Sequence, residues 1–391
     1  MSRKRKPTIK ASQLKSWGLL KEFNAELSKA VKKEPLDPRW EDPKRELNLA
    51  DYLGLFLLGV FNPVVDSMRG ICQASHLDQV RKVVGSKPVS LGSFSEAQSL
   101  VDPALLHKVY RRLAKKVTKS GKKATDKSNR YAQMMQVVDS TLWYALPRMH
   151  WAVWRQQYKT QRALRLHVRF QVADEMPSDF TITEGRRCER LEWEKMVQPG
   201  DFTVGDRYYG EDYGLLRRIM EKDSSFAIRL RTNAKWVEEE ELPIEEADRK
   251  EGVVWHAWVR LGIKGKGPRV RIVQISGDEE QILVATNLSP KEMSAELVSL
   301  CYRDRWQVEL FFRWLKHVMK TNHWMAESEN GVTIQIYLTL ISAQLLLLFT
   351  KERPTKRIME LLQFMSMGMA TPEEVVALIQ KIKAPRKKQA S

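Results

Sequence analysis

Two aspartates and a glutamate stand out by where the residue pattern puts them. An apolar run from Met134 to Val138 delivers Asp139 at its end, and a short strand, Phe202 to Gly205, ends on Asp206. Strand ends in one mixed sheet are where such sheets gather ligand groups, although an aspartate there more commonly caps a turn. Asp174, Asp201 and Glu184 are further candidates. None closes an apolar strand in the same way, and Asp201 is the nearest rival. The third acid, Glu309, lies in CYRDRWQVELFFRWLKHVMK, residues 301 to 320. At about 100° per residue this segment is an amphipathic helix. Tyr302, Arg305, Glu309, Arg313, Lys316 and Lys320 share one narrow stripe, and Val308, Leu310, Phe311, Phe312, Trp314, Leu315, Val318 and Met319 form the face that would pack on a sheet. Charged stripes are usually solvated faces with ion pairs one turn apart. Here four cations surround one acid, a set that repels itself unless an anion such as phosphate neutralises it, so the stripe reads as a DNA-facing helix.

The spacing of Tyr302, Arg305, Glu309 and Lys316 resembles the Tyr-Arg-Glu-Lys signature of bacterial insertion-sequence transposases of the DDE class. VVDST at 137 to 141 looks like that family's first acidic motif, VGDRYYG at 204 to 210 like its second, and VATNL at 284 to 288 like the strand before its third. The resemblance covers roughly residues 130 to 350. It implies that Asp139, Asp206 and Glu309 are the catalytic residues and hold Mg²⁺, with Mn²⁺ able to substitute. Breaking and rejoining a phosphodiester requires one oxygen activated and another stabilised as it leaves; paired hard cations on carboxylates do both. Tyr302, Arg305 and Lys316 would then contact phosphates near the scissile bond, with Arg313 and Lys320 on the same stripe. Arg207 and Tyr208, directly after the second acid, are further DNA-binding candidates. Trp236, Trp255 and Trp258 could stack on an extruded base, although core packing is the simpler expectation for any one of them.

These residues need a scaffold to bring them together, and the pattern supplies an α/β one. From Leu164 to Val172, apolar and polar residues alternate strictly, as in a strand with one buried face. A helix around Leu191 to Val197, another from Asp212 to Glu221 and a strand from Phe226 to Leu230 follow. The resemblance implies an RNase-H-like core, a mixed sheet flanked by helices, with an inserted β-rich subdomain and a helical N-terminal domain before it. The expected divisions are a helical DNA-binding region at 1–114 and a basic linker at 115–130. The core would occupy 131–234 and 289–350, around an inserted β subdomain at 235–288 with strands Val253 to Leu261, Val270 to Ile275 and Ile282 to Thr286. A C-terminal helix and basic tail fill 351–391.

Composition narrows the partners. The chain of 391 residues has a net charge of +18, and that charge is sorted by segment. Residues 1 to 33 carry ten Lys or Arg against two Glu and 108 to 130 ten against one Asp, whereas 237 to 251 carry eight acids against two bases. Clustered positive charge favours a polyanion over simple solubility. Cys72, Cys188 and Cys301 are isolated, which supports neither a disulfide framework nor a structural zinc site. The seven histidines show no ligand spacing, and no GxxxxGKS phosphate loop is present. The basic start lacks a following apolar core, and the apolar stretch Ile334 to Thr350 is short and polar enough to read as a buried helix. The expectation is a cytoplasmic, nucleoid-associated bacterial enzyme with no membrane partner. It would act on double-stranded DNA, at terminal inverted repeats and in target DNA, as a homodimer in the synaptic complex. The rival readings are an RNase-H-like nuclease that cuts without joining and a catalytically silent, transposase-derived DNA-binding protein.

Overall fold

A computed structural model describes residues 10 to 383 apart from 16–17, 121–126, 147–148, 157–158, 278–279, 320, 322 and 351–354. The chain divides into two compact units. One comprises residues 1–121, 146–151 and 314–391, the other 122–145 and 152–313.

The first unit is helical. It opens with α1 (Ala11–Lys15), α2 (Gly18–Val31), α3 (Leu49–Phe61), α4 (Met68–Ala74), α5 (Asp78–Val84), α6 (Leu91–Leu100) and α7 (Pro103–Ser120). Asn48 caps α3 and Ser90 caps α6 through their side chains, as expected where a helix leaves its first N–H groups unpaired. Part of the segment expected to be a linker is regular: α7 continues to Ser120 and a helix resumes at Lys127, while 121–126 lie outside the described residues.

The second unit contains α8 (Lys127–Met134), α9 (Glu189–Met196), α10 (Tyr213–Glu221), α11 (Glu246–Lys250), α12 (Ala295–Asp304) and the start of α13 (Trp306–His317) around a ten-stranded mixed sheet. Its strands are β1 (Met135–Tyr144), β2 (Val153–Gln156), β3 (Lys159–Gln171), β4 (Met176–Glu184), β5 (Phe202–Gly205), β6 (Ser225–Arg229), β7 (Trp236–Glu241), β8 (Val253–Leu261), β9 (Arg269–Ile275) and β10 (Ile282–Thr286). β1, β3 and β4 form an antiparallel meander, with β2 pairing the first residues of β3. β5 and β6 then join β1 in parallel. β10 continues the sheet antiparallel to β6, followed by β9, β8 and β7. The strands at 253–286 thus extend the same sheet that carries Asp139 and Asp206.

One face of this sheet packs its apolar residues, among them Val138, Phe226, Ile228 and Ile272, against Trp193 of α9 and Leu215, Leu216 and Ile219 of α10. The start of α12 is tied to the later strands. Buried Arg271 donates to the Met293 carbonyl at 2.6 Å, the Glu296 N–H donates to Asp248 Oδ1 at 2.7 Å, and Ser299 Oγ donates to the Glu251 carbonyl at 2.7 Å.

Three details differ from the sequence reading. β1 does not stop at Asp139. Its parallel ladder with β5 ends at Val137, but its antiparallel ladder with β3 runs to Tyr144. β7, WVEEEE, pairs with β8 although its sequence lacks alternation, because an edge strand can keep its acids in solvent and bind Arg260 and Arg269 through Glu239. The helix expected over 301–320 breaks at Arg305, between α12 and α13, and ends at His317.

The chain returns to the first unit within α13, then forms α14 (Glu329–Thr350), α15 (Lys356–Ser366) and α16 (Pro372–Lys383). α14 is long and apolar enough to cross a membrane, yet 83% of its most apolar window is buried, and it packs on α2, α3, α6 and α7. It is the core helix of the first unit.

Candidate active site

Asp206 is presented by a turn that has no room for side chains at its two glycines. A Cβ on Gly205 would lie 2.8 Å from Ile228 Cδ1, and one on Gly210 would lie 2.3 Å from the Arg229 carbonyl oxygen. The glycines let VGDRYYG press against β6 while Asp206 Oδ1 accepts the Tyr208 N–H at 2.9 Å, closing an Asx turn. Tyr209 is buried beneath, edge-on to Trp193 at 5.4 Å. Gly210→Ala forces backbone apart from backbone, with an expected cost at the upper end of the roughly 1–3 kcal/mol typical of overpacking. A urea-unfolding midpoint equal to that of the wild type would contradict this placement.

Asp139 lies level with Asp206. Met135, Gln136 and Val137 of β1 pair in parallel with Phe202, Thr203 and Val204 of β5, so two residues further along each chain the aspartates stand side by side. The Ser140 N–H donates to Asp139 Oδ1 at 2.7 Å. Burial, with the negative charges of Asp206 and Glu189, pushes the Asp139 carboxyl up to about 7, against the opposing pull of the Ser140 N–H and the Arg305 guanidinium. Two carboxylates have been brought within repelling distance.

Glu309 lies on α13, one turn after the break. Arg305 Nη2 pairs with Glu309 Oε1 at 2.8 Å, its guanidinium lies 5.7 Å from the Tyr302 ring, and its charge also acts on Asp139. Arg305 therefore links the third acid to the first electrostatically. Phe311 seats α13 on β3 through Phe170, with ring centroids 5.4 Å apart. Among the described residues no three His, Cys, Asp or Glu side chains form a ready metal cluster, and Glu309 is engaged by Arg305. The donor chemistry nevertheless fits a hard divalent cation: two neighbouring aspartates offer carboxylate oxygens whose repulsion a cation would relieve, and a third carboxylate is paired with the arginine whose charge acts on Asp139.

The rest of the stripe does not form one open face. Tyr302 is buried, whereas Arg313 is exposed. Leu310, expected in the packed face, is 38% exposed and lies one turn from exposed Trp306. Lys316 falls in the last turn of α13, in the first unit, where burial pushes its ammonium down. Lys320 lies outside the described residues. Arg207 and Tyr208 are exposed, and the Arg190 guanidinium covers the Tyr208 ring at 4.1 Å. Trp236 and Trp255 stack at 6.3 Å and pack against the core; Trp258 is half-buried beneath the Arg269 guanidinium at 4.3 Å.

The rival acid Asp201 is committed elsewhere. It takes two hydrogen-bonding contacts from Arg169, at 3.1 and 3.2 Å, and accepts the Gln198 N–H at 2.7 Å. Sequence reasoning missed Arg165 and Glu189, an ion pair beside Asp139. The strict alternation of β3 had placed Arg165 on its polar face, but α9 packs on β3 and brings Glu189 to Arg165, so this cation finds an acid instead of water.

Aspartates just beyond the last pair of two central parallel strands, with a glutamate on a helix tied to them through Arg305, define a class: mixed α/β proteins with a candidate carboxylate site where a parallel ladder ends. Residues 132–345, more than half of the chain, match the Transposase DDE domain family, and the chain belongs to it. It is 29% identical over 244 residues to a Geobacillus stearothermophilus protein described as "Probable transposase for insertion sequence element IS5377", covering 61% of this chain and 62% of that protein. It is 22% identical over 222 residues to the transposase for insertion sequence element IS421 of Escherichia coli, covering 46% and 59%. The match thus spans about six-tenths of the length of these relatives. A piggyBac transposase solved in a synaptic complex with hairpin DNA superposes on 97% of this chain and 82% of its own at 9% identity, with a TM-score of 0.42, too loose a likeness to define the fold.

Proposed function

We propose that this chain is the transposase of an insertion sequence, cutting DNA at the element's terminal inverted repeats and joining the freed 3′ ends to target DNA. The observation that carries this reading is the placement of Asp139 and Asp206 each two residues beyond the last pair of the parallel β1–β5 ladder, with Glu309 tethered to Arg305. The order β4, β3, β1, β5, β6, an antiparallel meander followed by two parallel strands, supports an RNase-H-like core, with β7 to β10 as its insertion. Asp139, Asp206 and Glu309 would hold Mg²⁺, or Mn²⁺ in its place, supplying Lewis-acid stabilisation of the attacking and leaving oxygens.

The protein's own groups do the rest. Arg305 is mostly buried and faces carboxylates of two elements, so an arriving phosphate competes for its guanidinium and frees Glu309 toward the aspartates. Arg313, Arg207 and Tyr208 are exposed and would track the backbone. Lys316 and Lys320 belong to the same expected DNA-binding set. Tyr302 would act from beneath by stacking on Arg305. Trp258, with Arg269 over its ring, is a better placed stacking surface than core-packed Trp255. The helical region at 1–114 would bind the ends, and synapsis of two ends would require two copies, in a bacterial cytoplasm.

Incubating pre-cut ends with a target plasmid and Mg²⁺ tests the reading. Joined products are expected. Cutting of uncut ends without joining would reassign the chain as a nuclease, and end binding without either reaction would make it a silent DNA-binding protein.

A further inference from the structure

Glu189 has no role in the reaction described so far, yet its two oxygens reach toward both aspartate-bearing segments. It opens α9, directly after Cys188. Glu189 Oε1 is ion-paired with Arg165 Nη1, which also donates to Ser140 Oγ at 2.8 Å, while Arg165 Nε donates to the Gly185 carbonyl at 2.9 Å. Ser140 is the residue whose N–H holds the Asp139 carboxylate. Glu189 Oε2 accepts from the Tyr209 hydroxyl at 3.4 Å, and Tyr209 belongs to the turn that Asp206 begins. Tyr209 is itself fixed, buried and edge-on to Trp193 of the same helix α9. A chain of contacts therefore runs from Asp139 through Ser140, Arg165, Glu189 and Tyr209 to the Asp206 turn. The β1–β5 ladder, whose last pair is Val137 with Val204, stops short of both acids. Beyond that point β3 still holds Asp139, opposite Val168, and β6 holds Gly205, opposite Ile228, while the contacts through Glu189 join the one segment to the other against the repulsion of their carboxylates.

We propose that Glu189 is a positioning residue that fixes the separation of Asp139 and Asp206, through Arg165 and Ser140 on one side and Tyr209 on the other, and so presets the pair for a divalent cation before DNA arrives. The inference rests on the reading of the two aspartates as metal-holding groups. It assigns Glu189 no direct contact with the metal or with DNA.

Three features make this more than a structural ion pair. The pair is shielded, with side-chain exposures of 17% for Arg165 and 20% for Glu189, so it is not a freely exchanging surface contact. Arg165 has three acceptors in three different segments, which its Nε and Nη1 donors tie together from one planar group. Glu189 also places a negative charge close enough to act on both Asp139 and Tyr209, which adds to the pull on a cation.

The test is a titration of the DNA-free full chain with Mn²⁺, following free Mn²⁺ by electron paramagnetic resonance, with thermal melting of each variant alongside. Glu189→Gln keeps shape and an acceptor for Tyr209 but loses the charge that orients Arg165. It is expected to weaken Mn²⁺ binding about tenfold with little change in melting temperature. Tyr209→Phe removes one tie only and should weaken binding by a smaller factor. Glu189→Asp, which keeps the charge on a shorter arm, should recover part of the loss. Combining Arg165→Gln with Glu189→Gln should weaken binding little beyond Arg165→Gln alone, since on the Ser140 side the Glu189 charge acts through that arginine. Asp139→Asn separates the two levels of the argument. If wild type and Asp139→Asn bind Mn²⁺ equally, the assignment of the aspartates fails and takes this inference with it. If Asp139→Asn abolishes binding while Glu189→Gln leaves it unchanged, only the role of Glu189 is overturned. A Glu189→Asp variant weaker than Glu189→Gln would also overturn it, because that pattern belongs to a direct ligand.

Discussion

Glu309→Gln is expected to bind DNA carrying the element's ends as tightly as the wild type and to cut it at least about a thousandfold more slowly, in Mg²⁺ and in Mn²⁺ alike. Glutamine fits the same space on α13 and keeps an oxygen for Arg305, so the helix and its seat on Phe170 are retained. What disappears is the anionic oxygen. A divalent ion supplies several kcal/mol of charge stabilisation in a phosphodiester transition state, and every 1.36 kcal/mol is a factor of ten in rate. Losing one of the three carboxylates proposed to hold such ions would therefore remove on the order of 4 kcal/mol or more. Because the loss concerns charge and not the fit of one metal, Mn²⁺ should not rescue it. Gel-shift titrations and cleavage time courses on the same substrate measure both halves, and cutting at the wild-type rate would show that Glu309 is not the third acid.

The second large effect is on stability. Glu26, on α2, is 1% exposed and is held by three cations: Lys116 at 2.7 Å, Lys29 at 2.8 Å and Arg112 at 2.7 Å. Burial alone would raise its carboxyl, but the hydrogen bonds from Lys116, Lys29 and Arg112 prevail and bring it down to about 2, from an ordinary 4.5. A depressed acid stabilises the fold above its unfolded value. The contribution of Glu26 is thus complete above about 4.5 and is lost as the pH falls from there through about 2. Breaking a buried ion pair costs roughly 3–5 kcal/mol. The lower figure, about 3, applies here because all three cations remain partly in solvent and can be rehydrated when the acid goes. Glu26→Ala should lower unfolding stability by that amount at pH 7, and the difference from wild type should shrink as the pH approaches 2. A loss below 1 kcal/mol at pH 7, or one independent of pH, would contradict it.

Much of the scaffold was legible because it follows from period and capping. The alternation at 164 to 172 is β3, Asp212 caps α10 through its side chain, and β10 has the bounds that its apolar run suggests. The places where the reading failed share a cause: local pattern does not encode what lies across an element. Asp139 looked like a strand end because the apolar run stops there, yet β1 continues, since Ser140 to Tyr144 pair with β3 on one edge only. β7 was hidden by its glutamates, which an edge strand tolerates. A helical wheel drawn through 301 to 320 could not foresee the interruption at Arg305, nor that Tyr302 is buried and Leu310 exposed. Of the site, the two aspartates and the Arg305–Glu309 spacing could be found from sequence. Glu189 could not, because its importance comes from Arg165 and Tyr209, which lie in other segments.

An experimental structure of the chain bound to Mn²⁺ and to the terminal repeats flanking its reading frame tests the metal site most directly. Asp139, Asp206 and Glu309 should all ligate the bound manganese, with Arg305 turned from Glu309 to a DNA phosphate. Manganese held by other acids, or Glu309 still paired with Arg305 while cut DNA occupies the site, would contradict it.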